Sequence, residues 1–133
     1  MIKQITAIAP QLKAAGKKAA IIIFTDGEAS DGDVAAALRP LHLLPAWVVI
    51  RLCTDESAIV NYWDNVDKQL ELNMEVIDDP LSEGKGIASF NNWLTYGTPL
   101  HRLREFGITA KELDMIDEVK LGAQQMKNVC AFM

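Results

Sequence analysis

Ile2, Ile5, Ile8 and Leu12 recur at helical spacing, with Lys3, Gln4 and Lys13 on the other faces, so the chain is expected to open with an amphipathic helix. Pro10 should kink or end that helix, because its ring lacks an N–H and crowds the preceding turn. After Gly16, Lys17 and Lys18, residues Ala19 to Phe24 form an unbroken, isoleucine-rich run, the pattern of a strand buried on both faces of a parallel sheet. The run stops at Thr25-Asp26-Gly27. Ser30 and Asp33 have the spacing of a capping box for a short helix carrying Val34, Leu38 and Leu41, closed by Pro40 and Pro45. Ala46 to Cys53 is a second apolar strand, and Arg51 is its only charge.

Thr54 or Asp55 is placed to cap the next helix, where Ile59, Trp63, Val66 and Leu70 make a 3.6-residue stripe against Asn61, Asp64, Asp67 and Lys68. Asn73 to Ile77 predicts a third, shorter strand, and Asp79-Pro80 is an N-cap followed by a first helical residue. The pattern weakens from Ser82 to Tyr96, with Gly84, Gly86, Asn91 and Asn92, and this stretch is read as mostly loop. Thr98-Pro99 starts a helix with Leu100, Leu103 and Phe106 that stops at Gly107. Thr109 to Glu112 is a full capping box opening a last helix with Leu113, Ile116 and Val119.

Helix and strand therefore alternate, which predicts parallel strands joined by right-handed crossovers. The expected architecture is a Rossmann-like, three-layer α/β fold with a small, mostly parallel sheet of about three strands. Residues 1–80 would carry the α/β part, and residues 81–133 a loop and helical C-terminal extension packed on it.

Composition narrows the classes of function. The 133 residues are 50% hydrophobic and 23% charged, as in a packed globular chain. Thirteen Lys and Arg against 18 Asp and Glu give a net charge of −5, which disfavours nucleic acid and anionic membrane surfaces. No segment approaches the roughly 20 apolar residues that span a bilayer, and the first 18 residues lack a signal-peptide pattern. Cys53 and Cys130 are unpatterned and read as reduced thiols, so a cytoplasmic location is expected.

In an open parallel sheet, ligands bind beyond the carboxyl ends of the strands. Acidic and hydroxyl residues cluster in the segments placed there: Thr25, Asp26, Glu28 and Asp31 after the first strand, Asp55 and Ser57 after the second, and Asp78 and Asp79 after the third. These oxygens suit a hard cation such as Mg²⁺. Bland roles compete: Asp26 as a turn acceptor, Asp55, Ser57 and Asp79 as helix caps, His42 as a partly buried packing residue, and Trp47, Trp63 and Trp93 as core. His101 and Cys130 are read as unrelated singletons rather than a catalytic pair.

The run Ile21 to Phe24 ending in Thr25-Asp26-Gly27, after a helix and a Gly-Lys-Lys lead-in, resembles the fourth strand of a von Willebrand factor A domain. The next strand and the Trp63 helix resemble that family's succeeding elements, over roughly residues 1 to 80. The stretch Trp93 to Gly107 resembles the tails of vWA-like proteins of microbial eukaryotes. The resemblance implies a protein-binding module rather than an enzyme, with Asp26 at the position of one ligand of the metal-ion-dependent adhesion site. The family's Asp-x-Ser-x-Ser motif is absent, and Asp55-Glu56-Ser57 is only a partial echo. The expectation is thus the carboxy-terminal part of such a domain, incomplete relative to the full fold, binding Mg²⁺ only if missing ligands come from elsewhere. A protein partner would meet a rim of Thr25, Asp26, Glu28, Asp31, Asp55 and Ser57, and an exposed sheet edge would favour self-association. The alternatives are a Mg²⁺-dependent phosphoryl-transfer or hydrolase domain with Asp26 as nucleophile or ligand, and a structural fragment of a longer protein.

Overall fold

In the computed structural model, which describes residues 1–30, 32–70 and 73–132, three strands form one parallel sheet in the order β1-β2-β3. β1 is Ala19–Thr25, β2 Ala46–Leu52 and β3 Met74–Ile77. Ile21 pairs with Val48, Phe24 with Arg51 and Ile50 with Val76, so the two registers interlock across β2. Helix α1 (Ile2–Ala14) precedes the sheet, and α2 (Val34–Leu38) continues into a 3-10 turn (Arg39–Leu43) between β1 and β2. Helix α3 (Ser57–Leu70) joins β2 to β3, and α4 (Pro80–Phe90), α5 (Thr98–Glu105), α6 (Lys111–Asp114) and α7 (Ala123–Cys130) follow. The protein is a small Rossmann-like α/β fold with a helical extension, as the alternating pattern implies.

Strand side chains alternate between faces, and each face meets a different layer. Ile21, Val48, Ile50, Leu52 and Met74 pack with Ile5 of α1, Leu38 of α2 and the Trp63, Val66, Leu70 stripe of α3. The opposite face presents Trp47, Val49 and Ile77, with Ile22 beside them. A second core, formed by Ile87, Leu94, Leu100, Leu113, Ile116, Leu121 and Val129, lies within the extension. Fully buried Asn91 ties its loops together: its Nδ2 donates to the Ile116 and Val119 carbonyls, both at 2.8 Å, and its Oδ1 accepts from Leu121 N–H at 3.0 Å.

Several expectations are corrected. β1 is an edge strand and not a doubly buried one: only Ile21 is buried, and Phe24 is 69% exposed. An apolar run answers to burial of the sheet as a whole, and strand order, set by the crossovers, decides which strand is central. Here the central strand is β2, buried at every position but Arg51. Helix α1 runs through Pro10 and ends only after Ala14. The cap of α2 is Asp33, whose carboxylate accepts from Ala36 N–H at 3.0 Å, and not Ser30. Residues 82–90, expected as loop, are helical in α4, because Asp79 accepts from Leu81 and Ser82 N–H and starts a helix that tolerates two glycines. The Thr109 capping box does not form: α6 begins after Ala110 without a side-chain cap and lasts four residues, and the terminal helix is α7. Leu103, Phe106 and Val119 are exposed, and so is His42.

Two glycines give stability changes of opposite sign. Gly107 has φ 75°, and a Cβ there would come 3.2 Å from the Ala20 Cβ and 3.5 Å from Trp47. Gly107→Ala is expected to destabilise by about 1–3 kcal/mol through left-handed backbone cost and overpacking. Gly86, inside α4 with open space around it, is expected to gain about 0.5–1 kcal/mol as Gly86→Ala. Urea midpoints at constant slope measure both, and equal shifts of the same sign would contradict this packing.

Candidate functional site

The carboxyl-end lip of the sheet is built from the segments after β1 and β2. Cys53 N–H donates to the Thr25 carbonyl at 2.7 Å, which holds the two segments side by side. The turn is fixed internally: Thr25 Oγ1 donates to the Gly27 carbonyl at 3.0 Å, and Gly27 N–H returns to Thr25 Oγ1 at 3.3 Å. The Trp63 indole N–H, from the buried face of α3, also donates to the Gly27 carbonyl at 3.1 Å. Asp26 and Glu28 project from this pinned turn into solvent, and Asp55 and Ser57 are exposed on the neighbouring segment. Thr54 Oγ1 accepts from Glu56 N–H at 3.2 Å at the start of α3. Asp31 lies outside the described residues. The lip thus brings Thr25, Asp26, Glu28, Asp55 and Ser57 to one end of the sheet.

As a Mg²⁺ site the lip does not fit. Among the described residues, no group of three or more His, Cys, Asp or Glu side chains is arranged to hold a metal ion. Mg²⁺ sheds its water shell reluctantly, and Asp26 offers it a single carboxylate.

A second polar assembly lies beneath the surface, and the sequence reading did not find it. Arg104 of α5 is 1% exposed and bonds three carboxylates from three parts of the chain. Its Nε bonds Glu75 of β3, Nη1 bonds Glu83 of α4 at 2.6 Å, and Nη2 bonds Asp117 at 2.8 Å. Nη1 also donates to Tyr96 Oη at 3.2 Å. Burial alone would lower the guanidinium pKa, but Glu75, Asp117 and Glu83 more than offset it and hold the pKa well above its usual value. Burial raises Glu75 and Glu83, with Arg104 opposing in each case. Next to it, Arg51 Nε bonds Glu105 at 2.6 Å, while Arg51 Nη1 donates to the Leu52, Ile77 and Asp78 carbonyls. His101 is buried, its Nδ1 2.9 Å from Tyr96 Oη and its Nε2 3.3 Å from Glu105; burial lowers its pKa. Cys130 is exposed.

One sequence signal for this assembly existed: Glu75 is a lone carboxylate in an apolar strand, and a buried charge requires a partner. Nothing in the sequence said that the partner would be Arg104.

Arg104 and Glu75 form the floor of a cleft of about 460 Å³, whose walls carry Asp64, Asp67, Lys68, Asp114, Asp117 and Glu118. Burial, with like charges around it, raises Asp67 to about 7, and burial raises Asp114 to about 6. Of these, Glu75 and Asp117 bond Arg104, and Asp114 lies 3.8 Å from Lys111 Nζ.

Compared with models of known protein families, with curated proteins and with solved structures, the chain matches none.

The cleft makes two outcomes testable. Arg104→Met leaves Glu75 and Glu83 buried without their cation and is expected to cost about 3–5 kcal/mol in chemical unfolding; a loss under about 1 kcal/mol, the range of exposed pairs, would show the guanidinium to be solvated. Asp67 is held above its ordinary 3.8, at about 7, so the fold favours the protonated carboxyl. Its contribution is intact below pH 3.8 and erodes as pH rises to about 7. The gain in thermal midpoint from Asp67→Asn should therefore grow through that window and level off above it. A gain independent of pH would show that Asp67 is not perturbed.

Proposed function

We propose that this chain is a protein-interaction module of the von Willebrand factor A-like kind that works without a complete metal site. Its acidic lip receives a basic segment of a partner. The observation that carries this reading is the pinned turn at Thr25 to Gly27, which holds Asp26 and Glu28 outward beside Asp55. None of these three carboxylates has an ion-pair partner among the described residues, whereas Glu75, Glu83, Glu105 and Asp117 are all engaged. The lip is thus one place where unpaired negative charge of this net-acidic chain is free to act on another molecule. A fixed turn gives up little conformational entropy on binding, and charge complementarity speeds encounter and sets specificity. The reading needs no nucleophile or general base.

Selection of a random peptide library against the chain tests it. The expected outcome is a lysine- and arginine-rich consensus whose affinity falls about tenfold in Asp26→Asn/Glu28→Gln/Asp55→Asn and weakens with added salt. Selection of no consensus, or of peptides indifferent to the triple substitution, would refute the lip as a contact surface.

A further inference from the structure

β1 pairs with β2 on one side only. Ala19 N–H bonds the Pro45 carbonyl and Thr25 C=O accepts from Cys53 N–H, so the odd-numbered residues of β1 direct their backbone groups toward β2. Strand geometry then turns the N–H and C=O groups of Ala20, Ile22 and Phe24 toward the open edge. Among the described residues, no turn or loop backbone group bonds these three. The edge also lacks the usual protections: Ala19–Thr25 contains no charge and no proline. The side chains above the edge are unsheltered too, since Ala20 is exposed and Phe24 is 69% exposed. A helix does cross this face of the sheet, but α5 touches β2 and anchors at Glu75 of β3, and the chain after it comes close to β1 at Gly107, beside Ala20, while Phe24 stays uncovered.

We infer that β1 is a homodimerisation strand, pairing antiparallel with β1 of a second copy about a two-fold axis at Ile22. Two three-stranded sheets would then join edge to edge. In this register Ile22 meets Ile22 of the other copy, and Ala20 meets Phe24. Every outward backbone group of the three residues finds a partner, and the exposed phenyl ring covers the exposed alanine. The flanks select the same alignment. Lys18, which stands 5.4 Å from the Trp47 ring on this face, falls opposite Asp26, just past the strand's last residue. The symmetry repeats that pair at the other end. A strand basic at its start and acidic after its end complements itself only when antiparallel. A shift by one residue would bring the exposed ring to the wrong face. The contact shares Asp26 with the rim, whose recognition of a basic partner also uses Glu28 and Asp55.

Sedimentation equilibrium from about 1 µM to about 1 mM reads the association directly. The wild type should form dimers, and Phe24→Lys should be monomeric with an unchanged circular dichroism spectrum. Asp26→Lys sets like charges against each other twice and should weaken the dimer about tenfold or more. The exchange Lys18→Asp/Asp26→Lys should restore it, which a merely misfolded variant cannot do. A monomer at every concentration, or a dimer untouched by Phe24→Lys, would overturn the inference. Phe24→Lys keeps all rim carboxylates, so loss of peptide binding and loss of dimer separate the two surfaces.

Discussion

One buried guanidinium sets the arrangement of the molecule. Arg104 binds a strand, a helix and a loop segment through Glu75, Glu83 and Asp117, and it cannot shed its charge when buried. An ion cluster of this kind adds little to stability compared with well-packed apolar side chains, yet it penalises any arrangement that separates its members. α5 is therefore fixed over β2 and β3 with its polar residues inward. The next residue, Glu105, extends the same lock to Arg51, which in turn holds the carbonyls at the ends of β2 and β3. The helical extension is thus locked to the sheet by charge as well as by packing on Trp47, Val49 and Ile77, while each side keeps its own apolar core.

That placement has a geometric consequence. One helix covers one part of a sheet face, and α5 is committed by Glu75 to the β3 side. The close approach at Gly107, against Ala20, Trp47 and Val49, marks the limit of its cover. Beyond it, Phe24 and the outer edge of β1 face solvent. The bare strand follows from where the cations and carboxylates meet, and not from any polarity in β1 itself.

The elements that the sequence made legible are those whose local and tertiary signals agree. β2 is apolar and central; α3 carries a clean stripe at Ile59, Trp63, Val66 and Leu70; and Gly107 ends α5 with the positive φ that glycine favours. The misreadings fall where the signals disagree. α4 has a sound start at Asp79-Pro80, but Gly84 and Gly86 weaken its propensity and Ile87 is its one buried apolar residue, so the helix depends on Glu83 reaching Arg104 and the Asp78 N–H. β1 has the composition of a central strand because composition reports a preference for burial and carries no information about strand order. The acidic positions of the lip were visible in the sequence. The indole of Trp63 that fixes their turn was read only as core, since a side chain can pack and donate at once.

The two acidic regions differ in kind, although composition counts them alike. In the cleft, carboxylates lie close together with restricted access to water, so Asp67 and Asp114 keep protons at pH values where an ordinary aspartate has none. The charge of Asp67 is thereby muted near neutrality and acts on the stability of the fold. At the lip, Asp26, Glu28 and Asp55 stand in water on a turn held by backbone and indole hydrogen bonds, and no cation of the described chain pairs with them. A field that reaches another molecule must come from charges that are both ionised and unneutralised. At the lip three exposed carboxylates lack an ion-pair partner among the described residues, whereas in the cleft Asp117 is held by Arg104; that contrast is what supports the proposed contact at the carboxyl end of β1.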